Sequence, residues 1–340
     1  MQLKYKEKEM SDKIKITAFA SRPDERVSFD LFEEKLNITI KHVSSQLSLA
    51  VVQEAEGCEG VTILGNCDCS RPVLEALAKI GVKFVASRSA GYNNIDVDAA
   101  KSLGIKVSNA KYSPNCVADF ALMLALMVNR RVLVGLKRNV GHDFSLPGLQ
   151  GQEMKNMTVG VIGTGRIGQT VIKNYSGFGC KIIGYDVYEN EDIKKYMTYV
   201  DLDYLLKHAD IITLHTPLFE STYHIINKEN IAKMKKGVKI INTARGELVD
   251  TEALIEGLKS QHIAGAGLDV LESEQGIFHS DCRMKGLVND QIAILKSMDN
   301  VVLTNHFAFY TDQAVEDMVY CGLHSLSQFI TTGTADFEIK

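Results

Sequence analysis

The sequence has no apolar run longer than the nine residues Phe120–Val128. A bilayer span needs about 20, so no membrane helix is expected. Positive charge is not in excess either: 38 Lys and Arg stand against 42 Asp and Glu, a net charge of -4. Both signs are mixed throughout, which removes the electrostatic case for a nucleic-acid partner. The seven cysteines are odd in number and scattered, so a disulfide scaffold is excluded. Free thiols suit a reducing compartment, and a cytoplasmic location is expected. Cys67 and Cys69 have no second Cys or His pair near them. They read as ordinary thiols, and no metal site is expected. Internal repeats and low-complexity stretches are absent.

What is present is ordinary for a globular chain: 45% hydrophobic and 24% charged residues. A length of 340 residues suggests two domains, each able to bury its own core. The start, MQLKYKEKEMSDK, is charged and reads as no signal peptide. Met10 is a candidate start, with the residues before it a disordered lead. From Lys15 the chain alternates strand-like runs (KITAFA, NITIKHV, GVTIL, VKFVAS) with helical patterns. A second series follows: MTVGVI, KIIGYD, DIITLH, VKIINTA, AGAGLDV and VVLTNH. Six strands alternating with helices fit a doubly wound dinucleotide fold. Between the two series, Ser113 and Pro114 read as the N-cap and first position of a buried helix. Thr311 reads as the cap of a final amphipathic helix.

The first strand of the second series runs into Gly163-Thr164-Gly165-Arg166-Ile167-Gly168. Gly163 makes the turn, Gly165 lets the backbone approach a pyrophosphate, and Gly168 lets helix and strand pack closely. The helix N-terminus then offers N–H groups to phosphate. The motif alone is weak. Here a second strand follows and ends at Asp186, which lies 18 residues after Gly168. Its carboxylate would accept hydrogen bonds from ribose hydroxyls and repel a 2′-phosphate. No Lys or Arg follows in VYENE. The expected cofactor is NAD, not NADP.

Further polar residues follow the later strands: His215, Thr216 and Pro217; Thr243, Ala244 and Arg245; Asp269 and Glu274; His306. Loops at the carboxyl ends of such strands line the ligand crevice. A dehydrogenase for an oxo acid needs an arginine to clamp the carboxylate. It needs a histidine to protonate the carbonyl oxygen. It also needs a carboxylate to orient that histidine. Arg245 suits the first role. Residue order leaves His306 and His215 as rivals for the second, and Glu274 and Glu272 for the third.

The chain resembles the D-2-hydroxyacid dehydrogenases from about Lys15 to its end. The matching segments are SRSAGYNNID, YSPNCVADFALMLAL, VGVIGTGRIG, YDVYEN, LHTPL, INTARGELVD, GLDVLESEQGIF and TNHFAFYTDQAV. The resemblance implies an α/β fold of two doubly wound parallel-sheet domains. One is a Rossmann NAD domain, 112–309. The other is a smaller, discontinuous, flavodoxin-like substrate domain, 1–111 with 310–340, and the active site is expected in the cleft. The implied catalytic residues are Arg245, Glu274 and His306. The implied cofactor contacts are Arg166, Ile167, Asp186, Thr216, Pro217, Thr222, Thr243, Ala244, Arg245 and Asp269. The substrate carboxylate is also expected on the backbone of Ser89, Ala90 and Gly91, with Tyr112 and Phe309 as pocket wall. His215 then becomes a supporting residue. A homodimer is implied through the helix at 114–130.

Two residues depart from the family pattern. Asn305 stands where proline is usual, and Phe307 where a small residue is usual, which puts the pocket shape in question. Within the family, SRPDE, TILGN and GIFHSDC resemble (R)-aryllactate (phenyllactate) dehydrogenases, while KYSPNCVADF and GHDFSL resemble D-lactate dehydrogenases. Gly65 occupies a position where short D-lactate enzymes carry a bulky aromatic. The expected substrate is therefore a 2-oxo acid with a large side chain, phenylpyruvate or 4-methyl-2-oxopentanoate, reduced to the (R)-2-hydroxy acid. The alternatives are pyruvate and, in another class, an NAD(H)-sensing corepressor-like binding protein.

Overall fold

The computed structural model describes residues 13–286 and 289–340. Met10 and the lead before it lie outside the described residues. The chain forms two units. One takes the chain up to Ser113 and again over Thr311–Lys340; the other is Pro114–Tyr310.

The first unit holds five parallel strands: β1 (Ile14–Ala18), β2 (Ile38–His42), β3 (Gly60–Ile63), β4 (Phe84–Ser87) and β5 (Lys106–Ser108), in the order β2-β1-β3-β4-β5. This is the flavodoxin-like order. The central β3 is buried at every position, whereas in β2 the buried Ile38 and Ile40 alternate with the exposed Thr39 and Lys41. Edge and centre thus differ as the pleat requires. β5 has only three residues, too few for a periodic signal, and the sequence reading passed over it. The C-terminal tail covers its free edge: Ile339 N–H donates to Val107 O at 2.9 Å and Asn109 N–H to Phe337 O at 3.2 Å. Thr311 caps the helix Asp312–Thr332 by accepting from Ala314 N–H. That helix lies close on the sheet, since a Cβ at Gly322 would stand 2.8 Å from Thr62 Oγ1.

One charge pair is sealed inside this unit. Arg88, the residue after β4, and Glu25 are both fully buried. Arg88 Nε donates to Glu25 Oε1 at 2.9 Å, and Nη2 donates to Phe19 O at 3.0 Å. The guanidinium also lies 5.2 Å from the centre of the Phe29 ring.

The second unit holds β6 (Thr158–Ile162), β7 (Lys181–Tyr185), β8 (Thr198–Tyr199), β9 (Ile211–Leu214), β10 (Val238–Asn242), β11 (Ile263–Leu268) and β12 (Val301–Leu303). All are parallel, in the order β12-β11-β10-β9-β6-β7-β8. Six of the seven are the strands read from the sequence; the two-residue β8 was too short to read. β9 and β10 are buried along their whole length, Thr213 of β9 and Lys239 and Asn242 of β10 included, which explains their mainly apolar sequences. The order reverses between β6 and β9, where a doubly wound sheet opens its ligand crevice.

The helix expected from Pro114 begins one residue later, as Asn115–Asn129, with Pro114 as its uncapped flank. The Ser113 N–H, just before this helix, donates to Asp317 Oδ2 of the final helix at 2.8 Å. The burial of Asn115–Asn129 is one-sided: Ala118, Ala121, Leu124 and Ala125 are buried, while Met123 is 39% exposed. Among the described residues no helix is long and apolar enough to cross a membrane.

His215 follows β9 against the glycine turn; the residue as a whole is partly exposed, but its Nδ1 is buried. Its Nε2 pairs with Thr213 Oγ1 at 2.8 Å, and burial lowers its pKa to about 3. Below about pH 6.5 the unfolded chain takes a proton there that the folded chain refuses. Stability therefore rises with pH between about 3 and 6.5 and is lost as pH falls through that window, by up to about 1.4 kcal/mol per unit. His215→Gln is expected to flatten the loss of urea midpoint between pH 6 and 4.5; an unchanged slope contradicts the assignment. In the first unit, Glu25→Gln strands a buried guanidinium and is expected to destabilise it by about 3–5 kcal/mol. A loss under about 1 kcal/mol in urea unfolding would show that the pair is not what holds that region.

Candidate active site

β6 delivers the chain to Gly163, whose φ of +90° favours glycine. A Cβ at Gly163 would lie 2.7 Å from Thr216 N, and one at Gly168 would lie 2.0 Å from Gly163 O. Backbone packing therefore demands both glycines. Gly165 is different: nothing lies within 4 Å of its missing Cβ. That open side, at the start of the helix Arg166–Ser176 with no side chain capping it, fits a pyrophosphate drawn against the backbone. Ile167 lies in the helix's first turn.

Asp186 is the first residue after β7. Its Oδ2 accepts from Thr164 N–H at 2.6 Å and from Thr164 Oγ1 at 3.1 Å, and its Oδ1 accepts from Tyr188 N–H at 3.1 Å. The carboxylate thus ties the glycine turn to the end of β7 and leaves lone pairs for ribose hydroxyls. Thr164 was not singled out in the sequence; a hydroxyl inside the glycine motif was the available signal.

After β9, Thr216 Oγ1 donates to Pro217 O at 3.0 Å. The Thr222 hydroxyl donates to the same carbonyl at 2.8 Å and accepts from Phe219 N–H at 2.8 Å. Thr222 therefore closes the turn that begins at Pro217. Asn242, the last residue of β10, shapes the next loop. Its Oδ1 accepts from Ala244 N–H at 3.0 Å and its Nδ2 donates to Arg245 O at 2.7 Å. The Arg245 guanidinium is half-buried and donates to Ala244 O at 2.6 Å. Thr243 Oγ1 is buried with no partner among the described residues, a polar atom suited to a bound ligand.

Gly246 explains how the arginine loop meets the acidic loop. A Cβ there would fall 2.1 Å from Leu271 C and 2.4 Å from Glu272 N, so the two backbones touch. In the acidic loop, Glu274 Oε2 accepts from Leu271 N–H at 2.8 Å, and Glu274 Oε1 pairs with His306 Nδ1. Glu272 is spent elsewhere: it accepts from His224 Nε2 at 2.6 Å and from Thr251 N–H at 2.8 Å. The geometry thus separates the two acids. It also separates the two histidines, because His215 stays neutral while the His306 side chain is 32% exposed.

Asp269 leaves β11 fully buried. Its Oδ1 accepts from Thr304 Oγ1 at 2.6 Å and from Phe307 N–H at 3.1 Å; its Oδ2 accepts from Ala308 N–H at 2.8 Å. Its carbonyl accepts from His306 N–H at 2.7 Å. These bonds hold His306 at φ +58°. Asn305 is exposed between the bonded residues. The bulk of Phe307 rests edge-on against Phe120, with ring centres 5.0 Å apart. Phe309 packs on Tyr310, 6.0 Å between centres.

The candidates after β6, β7, β9, β10, β11 and β12 thus share the carboxyl ends of one parallel sheet. Ala90, Gly91 and Tyr112 belong to the first unit. There the buried Arg88 anchors the loop; Ser89 Oγ donates to Gly91 O at 3.1 Å and Asn109 Nδ2 to Ala90 O at 2.8 Å. A Cβ at Gly65 would stand 3.3 Å from Ser89 Oγ, so a side chain there would press on this loop. Arg88 and Glu25 escaped the sequence reading, since nothing local marks a pair 63 residues apart.

Residues 122–308 match the model of the D-isomer specific 2-hydroxyacid dehydrogenase NAD binding domain. An aromatic 2-oxoacid reductase of Clostridium sporogenes is 51% identical over 94% of this chain and 98% of its own length. A D-lactate dehydrogenase of Lactiplantibacillus plantarum is 41% identical over 96% of this chain and 99% of its own. The solved structure of D-2-hydroxyisocaproate dehydrogenase superposes with a TM-score of 0.88 at 36% identity, covering 96% of this chain and 99% of that one. The chain belongs to the D-2-hydroxyacid dehydrogenases, oxidoreductases that use NAD.

Proposed function

We propose that this enzyme reduces a 2-oxo acid with a large side chain, phenylpyruvate or 4-methyl-2-oxopentanoate, to the (R)-2-hydroxy acid. The observation that carries the reaction type is the Glu274–His306 pair, beside an arginine loop fitted through Gly246 to the same acidic loop. The large side chain rests on Gly65 and on the 51% identical relative named an aromatic 2-oxoacid reductase. Pyruvate remains a poorer substrate, because pocket methylenes discriminate by only about 1–3 kcal/mol.

Arg245 clamps the substrate carboxylate through its remaining N–H donors. His306 donates a proton to the carbonyl oxygen, which becomes the hydroxyl. Glu274 on Nδ1 fixes the tautomer so that Nε2 carries the mobile proton. When bound, NADH supplies the hydride for C2. Gly163, Gly165, Arg166, Ile167, Gly168, Asp186, Thr216, Pro217, Thr222, Thr243, Ala244 and Asp269 are the residues proposed to hold or frame it. The second unit is then the NAD domain and the first the substrate domain, with Ala90, Gly91 and Tyr112 as its substrate contacts and Phe309 as a wall on the NAD side.

A homodimer fits the apolar residues left in the open: Leu136 is 58% exposed, Val140 83%, Phe144 72% and Leu146 81%. The seven cysteines are all free thiols, which suits the cytoplasm.

The test is NADH oxidation against a panel of 2-oxo acids. Phenylpyruvate is expected to give a higher kcat/KM than pyruvate; the reverse order removes the large-side-chain reading. NADPH is expected to be far poorer than NADH, and equal efficiency would remove the role given to Asp186. Glu274→Gln removes the carboxylate that orients the His306 ring, so kcat is expected to fall with NADH affinity unchanged. A wild-type kcat would break the pairing.

A further inference from the structure

Glu274 and the Asp269-held backbone grip His306 at its ring and its N–H. A third contact has no place in the reaction as described so far. The His306 carbonyl accepts a hydrogen bond from His279 Nε2 at 2.7 Å. A carbonyl only accepts, so Nε2 of His279 carries the proton. The two imidazole rings stand 5.7 Å apart at 48°, and the His279 ring meets Phe309 edge-on at 6.3 Å.

His279 belongs to the same loop as Glu274. The N–H groups of Ile277 and Phe278 both donate to Glu274 O at 3.0 Å, which winds the segment between them into a tight turn. The spacing of the two side chains is thereby set. His306 has a left-handed backbone, which a residue with a side chain adopts only when its surroundings impose it. The bond to its carbonyl is one of the impositions.

We propose that His279 is a positioning residue for His306. One loop then holds the proton donor at two points, Glu274 at the ring nitrogen and His279 at the backbone carbonyl. This rests on the reading of His306 as the proton donor. His279 itself donates no proton to substrate. Its loss lets the His306 backbone relax, so the acid is aimed at the carbonyl oxygen less often. The effect falls on kcat and not on the binding of either substrate.

The experiment is steady-state reduction of phenylpyruvate by His279→Phe and His279→Gln, with His306→Ala alongside and NADH affinity measured by fluorescence titration. His279 is exposed, so both replacements leave the core intact. Phe keeps a ring but has no donor; its kcat is expected to fall by about 3–10-fold, the weight of one net hydrogen bond, with KM and NADH affinity unchanged. Gln restores a donor and is expected to recover most of the loss. Wild-type kcat in His279→Phe, or no recovery in His279→Gln, overturns the proposal. If either occurs while His306→Ala is inactive, the positioning role alone fails. If His306→Ala keeps wild-type turnover, the reading of His306 fails with it.

Discussion

Three donors of the Thr304–Ala308 segment converge on the carboxylate of Asp269, and a fourth, His306 N–H, bonds to the carbonyl of the same residue. The carboxylate is fully buried, so it depends on these donors for the solvation it has given up. Hydrogen bonds to a charged group are worth about 1.5–3 kcal/mol each, and an unmet buried charge costs more. The segment therefore has one low-energy path, and on that path His306 takes a left-handed backbone and meets Glu274. The arginine loop is drawn to the same place from β10, because Gly246 allows it to lie on the Leu271–Glu272 backbone.

The first unit uses the same physics with opposite charges. Arg88 is sealed against Glu25 and the Phe19 carbonyl, and the chain that leaves it is Ser89-Ala90-Gly91. Breaking such a pair is costly because it leaves a bare charge in the core. In each unit a buried polar hub thus fixes a loop whose own residues are small or exposed.

The sequence displayed the frame more readily than the hubs. Ten strands were readable because central parallel strands are mainly apolar and the edge strand β2 alternates apolar with polar residues; β5 and β8 were not, having three and two residues. The three motif glycines were legible, and the packing distances justify Gly163 and Gly168 while leaving Gly165 open. The choices between His215 and His306, and between Glu272 and Glu274, were open to position alone. The Glu274 partner on His306 and the lowered pKa of His215 decide the first, and hydrogen-bond partners the second, and neither is written in local order. Asp269 stood in a motif, yet its bonds to residues 35–39 positions away show only in the fold.

The central claim is that His306 delivers the proton that completes carbonyl reduction, with Glu274 and Asp269 serving to hold it there. The direct measurement is single-turnover oxidation of prebound NADH by stopped flow in His306→Gln, which puts a neutral amide in place of the imidazole and loses the acid. The hydride-transfer phase is expected to slow by about 10²–10⁴-fold with NADH affinity intact. A phase at the wild-type rate would contradict the account.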